Sequence, residues 1–234
     1  MCAYEKADSK SPSLFGVAFF ALLMALVGAL SGFTLLASIS PDPFSSVVDY
    51  KSYLEKNPEQ DISSSHYFRG YSVGDRKWVS KRRTLLIAED ATVELKDSEI
   101  NAWIIDKFKK PEVSFSDRDE PKLYVVPGLP NCFIDSAEGV HFNMLLEIVV
   151  FGKQIDCLLI GKGHFAEEDP VEFHLSRLRL NGALIPFPEK LHGPLLGSLL
   201  KPLYESDEFV SLKEAWKKVD SVELVENGIR LHLD

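Results

Sequence analysis

The sequence predicts an α+β protein, in which an N-terminal transmembrane helix is followed by a curved antiparallel sheet packed on helices. Three patterns predict it. Leu14 to Ile39 is a long apolar run without a charged residue, every even position from Val140 to Val150 is apolar, and leucines recur at helical spacing between Leu195 and Leu203. A turn at Gly152-Lys153 joins the alternating segment to a second strand, which makes the pair an antiparallel hairpin.

The apolar run is long enough to cross a membrane. A spanning helix needs about 20 apolar residues for about 30 Å of hydrocarbon, and Leu14 to Ile39 meets that length. A cleavable signal peptide has an apolar core of about 7 to 15 residues, so the run favours an anchor. Gly28 and Gly32 have the spacing that lets two membrane helices approach, although a plain anchor explains them more simply.

The charges beside the run favour one orientation. Lys6 and Lys10 precede it, whereas Asp42 and Asp49 follow it. Since positive residues stay in the cytoplasm, we expect a single-pass protein of the inner (cytoplasmic) membrane. Its N-terminus would be inside and its large domain periplasmic or extracellular.

The chain divides into four parts. They are a cytoplasmic tail (1–13), the transmembrane helix (14–39), a juxtamembrane helix and linker (40–77), and an exported α+β domain (78–234). Pro41 and Pro43 break the first helix, and Phe44 to Lys56 then reads as a short amphipathic helix. The serine- and glycine-rich segment Glu59 to Gly74 is typical of a linker or loop.

The first elements of the exported domain are a strand and a helix. Leu85 to Leu95 reads as extended, with an interruption at residues 88–90. Asp97 can cap a helix that continues to Phe108 and stops before Pro111.

The hairpin that begins at Val140 continues into a third strand. Ile155 to Phe165 forms its second strand by the same alternation. In the next apolar segment the phase changes between Leu175 and Leu178, so a bulge near Ser176-Arg177 would keep both sets of side chains on one face.

The C-terminal part returns to helices and ends in a hairpin. We expect a leucine-rich helix from Glu189 to Tyr204, restarting near Gly193-Pro194, and a shorter helix from Leu212 to Val219. Two strands follow, Ser221 to Val225 and Ile229 to Leu233, joined by a turn that contains an Asn-Gly pair.

Composition argues against nucleic acid as a partner. The net charge is −9, whereas phosphate binding needs a basic face. Five positive residues form a local exception, which a solvated face explains more simply than contact with lipid headgroups. They are Arg76, Lys77, Lys81, Arg82 and Arg83.

Cysteines and catalytic motifs add little. Cys132 and Cys157 could form one disulfide in an exported domain, or remain buried and free. There is no Gly-x-Ser-x-Gly elbow, phosphate-binding loop or Cys-x-x-Cys pair, so the sequence predicts no enzyme and no cofactor. The most suggestive metal-ligand cluster is explained by an acidic loop between strands, and no metal is expected. Its members are His164, Glu167, Glu168, Asp169 and His174.

Short motifs along residues 85–234 also carry a family resemblance. In order they are Val93-Glu94-Leu95, Glu99-Ile100-Asn101-Ala102-Trp103, the long hairpin, Leu178-Arg179-Leu180-Asn181-Gly182 with Ile185-Pro186, the leucine-rich helix and Val222 to Ile229. This order resembles the membrane-anchored bacterial envelope proteins of the YpmS and LmeA kind, which are similar to the tubular lipid-binding superfamily. The resemblance implies a curved sheet around a long helix, an apolar groove for phospholipid or acyl chains, and no enzymatic chemistry.

Ten apolar residues on the expected helices and the first hairpin strand would line such a groove. They are Ile100, Trp103, Ile104, Phe142, Met144, Leu146, Ile148, Leu195, Leu199 and Leu203. An ordinary α+β core produces the same pattern, so an envelope scaffold with a filled interior stays open, as does an unrecognised hydrolase. Asn101, the polar residue between Ile100 and Ile104, either orients a ligand headgroup or, more simply, satisfies neighbouring backbone groups.

Overall fold

The computed structural model describes residues 13–57, 66–69, 77–111, 122–166 and 171–234. Helices and strands alternate irregularly along these ranges, as in an α+β protein. In chain order they are α1 (Leu14–Ala37), β1 (Asp42–Phe44), α2 (Val47–Lys56), β2 (His66–Phe68), α3 (Lys77–Ile87), β3 (Thr92–Lys96), α4 (Asp97–Lys107), β4 (Leu123–Asp135), β5 (Gly139–Val150), β6 (Lys153–Phe165), β7 (Phe173–Leu180), β8 (Ala183–Leu184), α5 (Glu189–Leu199), α6 (Lys201–Tyr204), α7 (Asp207–Trp216), β9 (Val219–Val225) and β10 (Gly228–Leu233).

Helix α1 is long and apolar enough to cross a membrane. Its 24 residues include no charge, and none of its side chains is buried by the rest of the chain. Ser13 caps its first turn by accepting a hydrogen bond from the Gly16 amide at 3.1 Å. The helix is about 36 Å long, compared with about 30 Å of hydrocarbon. By length and composition it is compatible with a single membrane span or a signal sequence.

The main sheet is antiparallel and has the order β4-β5-β6-β7-β8, without closing into a barrel. The expected hairpin is present, and its turn at Phe151-Gly152 places both residues at positive φ, 48° and 76°. Ser176 is an extra residue on β7, because Leu175 pairs with Gly163 while Arg177 pairs with Lys162. The predicted bulge is therefore confirmed, and it bends the strand where the apolar phase changes.

Strand β4 is a finding that the sequence analysis did not anticipate. It contains Pro127, Gly128 and Pro130, and the pairing register shifts between the two prolines. Proline is excluded from central strands because it lacks an amide donor, but an edge strand tolerates it. Strand β4 is the edge of its sheet, and the prolines interrupt only its one ladder with β5.

A second, three-stranded sheet has the antiparallel order β3-β10-β9. The C-terminal hairpin is confirmed, with Asn227 at φ 58° in its turn. The predicted extension from Leu85 to Leu95 is wrong for its first part, because α3 continues to Ile87 and only Thr92–Lys96 is a strand. The apolar triplet at residues 85–87 resembles a strand, but Trp78 and Leu85 lie two helical turns apart and are the buried residues of one helix.

The helices after β8 follow the expected pattern with shifted boundaries. Helix α5 is continuous from Glu189 to Leu199 and includes Pro194, so the expected restart near Gly193-Pro194 is wrong. The next helix, α6, begins at Lys201 and covers one further turn. Helix α7 begins at Asp207, five residues before its expected start, since Ser206 caps it by accepting a hydrogen bond from the Phe209 amide.

Two apolar clusters hold the domain together. One lies between the inner face of the main sheet and helices α4, α5 and α6, with Met144 and Leu178 fully buried at its centre. The other joins the small sheet to α3 and α7, around Leu231. Burial of these faces on both sides of α4 supplies the main stabilisation of the fold.

The outer face of the main sheet is covered by the segment that follows α1. Tyr50 and Phe68 pack on Phe133, and the Asn143 side chain donates to the Phe68 carbonyl at 2.8 Å. Lys51 forms an ion pair with Asp135 at 2.6 Å. The described residues of the expected linker are therefore part of the folded body; residues 58–65 and 70–76 lie outside the described part.

The alternative of a disulfide is excluded for the two cysteines of the domain, which are free. Cys132 lies on β4 and Cys157 on β6, with β5 between them. Two strand spacings amount to about 10 Å, whereas a disulfide needs α-carbons within about 7 Å of each other.

Candidate ligand pocket

A pocket lies between α3, α4, α7 and the small sheet. Its volume is about 880 Å³. We call it the tryptophan pocket, because all three tryptophans of the chain, Trp78, Trp103 and Trp216, line it. Its remaining lining residues are Arg82, Leu85, Leu95, Glu99, Ile100, Tyr204, Phe209, Val210, Leu212, Lys213, Glu214 and Ile229.

Three helices and one sheet face the pocket with apolar side chains. Trp78 and Leu85 share one face of α3, and Leu212 and Trp216 lie one turn apart on α7. The Trp103 ring of α4 stacks on Phe209, with ring centroids 6.4 Å apart. Since aromatic and aliphatic groups form most of the wall, the pocket suits an apolar ligand.

Three charged residues near the pocket, Arg82, Lys107 and Glu208, are held in ion pairs within the domain. Arg82 contacts Glu208 at 2.5 Å, and Lys107 contacts the same carboxylate at 3.0 Å. Hydrogen bonds to Asp106 and to Glu208 raise the pKa of Lys107, so that lysine stays protonated at neutral pH. The Lys107 ammonium also lies 5.9 Å from the centre of the Trp78 ring. These contacts therefore hold the positive charges of Arg82 and Lys107 in place at this end of the pocket.

Two buried donor atoms of residues in the pocket wall lack an acceptor in the described part of the chain. They are the indole Nε1 of Trp103 and the guanidinium Nε of Arg82. Buried polar groups in proteins are normally hydrogen-bonded, so an unpaired donor beside a pocket is a feature that needs an explanation. Both atoms are enclosed by protein rather than open to the pocket, so an acceptor in the pocket would reach them only after a neighbouring side chain moves.

The ten residues predicted from the sequence come together in one place. Ile104, Met144, Leu146 and Leu203 are buried in the core cluster on the inner face of the main sheet. The other six pack against that cluster while partly buried: Ile100, Trp103, Phe142, Ile148, Leu195 and Leu199. Ile100 and Trp103 also line the tryptophan pocket, whereas the other eight do not. Ligand contact by those eight stays a prediction.

Sequence reasoning missed most of the pocket wall. It read the second half of α3 as a strand and began α7 five residues late, so Trp78, Leu85 and Phe209 were not placed on helices that face each other. One signal was available: the three tryptophans are scattered along the chain and each falls beside an apolar helix face. Large aromatic residues concentrate in ligand sites as well as in cores.

Asn101 has the structural role that the sequence analysis favoured. It is fully buried, its Nδ2 donates to the Cys132 carbonyl at 2.6 Å, and its Oδ1 accepts from the Cys132 amide at 2.7 Å. Both groups belong to the outer edge of β4, which has no partner strand there. The side chain therefore joins α4 to the sheet edge by replacing the missing strand.

The basic cluster and the histidines take structural positions in the described ranges. Lys81 binds the buried carboxylate of Glu99 at 2.6 Å, and Arg82 binds Glu208. Arg76 lies outside the described part. His164 and His174 face each other across β6 and β7, but the acidic residues between them, 167–169, lie outside it as well. Among the described residues, no three potential ligands converge to hold a metal ion.

A second, smaller pocket lies on the outer face of the main sheet and has a mixed lining. Its volume is about 310 Å³, and Glu138, His141 and Lys162 are among its polar lining residues. Lys162 contacts Glu138 at 3.1 Å, and His141 contacts it at 3.5 Å. Hydrogen bonds from His141 and then from Lys162 lower the pKa of Glu138 to about 2, so this carboxylate is ionised at neutral pH.

Comparison with known proteins leaves the chain without an assigned family. No protein-family model matches the sequence, and no curated protein matches it either.

Proposed function

We propose that this chain is a membrane-anchored protein that binds a lipid or another molecule with an acyl chain in the tryptophan pocket. The observation that carries the proposal is an apolar pocket of about 880 Å³ on a chain whose first helix is able to span a membrane. Ligand pockets for small molecules measure about 300–1,000 Å³, so this pocket is large enough for a long acyl chain.

Burial of an acyl chain gives enough free energy to support binding. Each methylene group removed from water contributes about 0.8 kcal/mol, so ten methylenes contribute roughly 8 kcal/mol before the cost of ordering the ligand. The walls supply the required apolar surface, with Leu95, Ile100, Leu212 and Ile229 beside the tryptophans.

The cellular arrangement in this proposal follows from the sequence. The N-terminus lies in the cytoplasm, α1 crosses the inner membrane once, and residues 42–234 lie in the periplasm or outside the cell. The chain binds its ligand without transforming it, as in the envelope proteins that it resembles. Phospholipid of the surrounding membrane is the available source of acyl chains.

A second candidate function is an envelope scaffold that binds no ligand. The observation that favours it is the packing of the predicted groove: Met144 is fully buried, and Leu146 and Leu203 are each 5% exposed. A filled interior of this kind stabilises a domain whatever its function. The tryptophan pocket favours the lipid-binding proposal, because a scaffold does not need it.

Mass spectrometry of bound lipids distinguishes the two candidates. The full chain is purified in detergent and extracted, beside the variant Leu212→Trp, which fills the pocket, and the control Val79→Trp. Val79 lies on α3, is 49% exposed and does not line the pocket. We expect the wild type and Val79→Trp to carry a stoichiometric amphiphile and Leu212→Trp to lose about nine-tenths of it. Equal amounts in all three proteins, or none in the wild type, would refute the lipid-binding proposal.

A further inference from the structure

The turn between β7 and β8 is fixed against the last turn of α1. The Asn181 Nδ2 donates to the Ala37 carbonyl at 2.6 Å, and its Oδ1 accepts from the Leu158 amide at 2.7 Å. A β-carbon at Gly182 would lie 2.7 Å from the Leu36 carbonyl oxygen, closer than carbon and oxygen atoms pack. Because only a glycine permits this approach, the turn is fitted to the end of the helix.

The end of α1 has a defined depth if the helix spans a membrane. The helix is about 36 Å long, which exceeds the hydrocarbon thickness by about 6 Å, so a centred span projects about 3 Å on each side. The headgroup layer beyond the hydrocarbon is about 5–7 Å thick on each side. Leu36 and Ala37, together with the turn that touches them, would therefore lie within this layer.

Exposed apolar side chains follow that turn directly. Leu184, Phe187 and Leu191 are 54%, 53% and 45% exposed. Single exposed apolar residues are ordinary, but these three lie within eight positions, from the end of β8 to the first turn of α5, and together offer apolar surface to a partner. Lys190 is exposed on α5, and the exposed Glu189 beside it balances its charge, so the surface is apolar rather than basic.

We propose that residues 184–191 form a second membrane contact, which dips into the headgroup layer of the bilayer that α1 crosses. Leu184, Phe187 and Leu191 reach the boundary of the acyl chains, and Lys190 lies among the anionic phosphates. Burial of apolar side chains is the driving force of interfacial contacts of this kind. Strand β8, in which this segment begins, packs against α1, and this continuity selects the membrane over a protein partner. This inference rests on the proposed membrane span.

The consequence is a domain that is docked on the membrane rather than loosely tethered. Residues 38–41 connect α1 to β1, and Pro41 within them is buried. Two contacts, the span and the 184–191 surface, would fix the tilt of the domain relative to the bilayer.

Depth-dependent quenching tests the inference on the full chain. The protein carries Cys2→Ser and is placed in nanodiscs of phosphatidylcholine and phosphatidylglycerol, with an environment-sensitive fluorophore attached through Phe187→Cys. Cys132 and Cys157 react slowly, because burial raises the pKa of both thiols, that of Cys132 to about 12. A nitroxide lipid with its label near the headgroup is the quencher. The protein with Cys2→Ser alone provides the blank.

Two further labelling positions serve as controls. Val210→Cys places the fluorophore on α7, where the native residue is 57% exposed, and Leu22→Cys places it in the middle of α1. We expect quenching at position 187 to exceed that at position 210 by about twofold or more. Equal quenching at 187 and 210, with a lipid-exposed probe at 22, would overturn the docking surface alone. A probe at 22 that is accessible to water would overturn the span and this inference together.

Discussion

Removing the Asn101 side chain should destabilise the domain more than removing an exposed amide side chain does. The substitution Asn101→Leu keeps the approximate volume of the side chain and removes its two hydrogen bonds to Cys132, at 2.6 and 2.7 Å. The site is fully buried, so water does not replace either partner. The Cys132 amide and carbonyl at the edge of β4 would be left unsatisfied.

The expected magnitude follows from these two groups. A buried donor or acceptor without a partner costs about 1–3 kcal/mol, so the two together reduce the free energy of unfolding by about 2–6 kcal/mol. Domains of this size have a total stability of about 5–15 kcal/mol. The loss is therefore a large part of the whole, and Asn101→Asp, which cannot donate to the carbonyl when ionised, should be destabilised in the same direction.

Chemical denaturation of the full chain in detergent micelles measures the loss. Fluorescence of the tryptophans follows the transition, because Trp103 lies on the same helix as Asn101. Asn57→Leu is the matched control: Asn57 is exposed and donates to the Tyr53 carbonyl at 2.9 Å, so we expect a change below about 0.5 kcal/mol. A loss at Asn101 no greater than at Asn57 would refute the role assigned to this side chain.

Three further predictions concern buried charge, pH and close packing. Glu99→Gln should lower the free energy of unfolding by about 1–3 kcal/mol in denaturant titrations, because Glu99 is 1% exposed and its carboxylate binds Lys81. The control Glu214→Gln, at an exposed ion pair, should change the free energy of unfolding by less than about 0.5 kcal/mol. Burial raises the pKa of Asp97 to about 6, above its unfolded value, so ionisation of this residue lowers the free energy of unfolding as pH rises from about 4 to 6. Over that pH range the free energy of unfolding of Asp97→Asn should rise by up to about 3 kcal/mol relative to the wild type. A difference between the two proteins that does not vary with pH would contradict this. Gly163→Ala should lower the thermal midpoint, since its β-carbon would lie 2.6 Å from a backbone oxygen of β7, while Gly193→Ala meets nothing within 4 Å and should leave the midpoint unchanged or higher.

The sheet could be predicted where side-chain alternation was complete. Val140 to Val150 has an apolar residue at every even position, and the phase change at Ser176 predicted a bulge that the register shows. In both places a single physical requirement, one buried face, determines the structure. Strand β4 has no such pattern, because Pro127 and Pro130 interrupt it and its outer edge is completed by a side chain from α4 rather than by its own sequence.

The helices were harder to place because tertiary contacts determine their ends. Helix α3 presents few buried residues, Trp78 and Leu85, so its apolar spacing is sparse and the triplet at 85–87 favoured a strand. The first residues of α7 are polar, and its start is fixed by the Ser206 cap. The local sequence indicates each helix end only weakly, and burial against other elements determines where the helix begins and ends.

The position of the pocket could not be predicted for a related reason. A helix with apolar residues on two faces, such as α4, can pack one face and leave the other beside a cavity. Ile104 is buried against the main sheet, whereas Ile100 and Trp103 also face the pocket. Composition does not distinguish these two environments, since both are apolar. The volume left between α3, α4 and α7 depends on how the three helices approach one another.

Quenching of the native tryptophans by a brominated fatty acid tests the central claim most directly. All three tryptophans line the pocket, and bromine quenches indole fluorescence only near contact. The full chain in micelles is titrated with dibromostearate and then with excess unbrominated stearate. We predict saturable quenching of most of the emission and its recovery on competition. Emission that stays unchanged, or that falls without saturation and does not recover, would contradict an acyl chain in the tryptophan pocket.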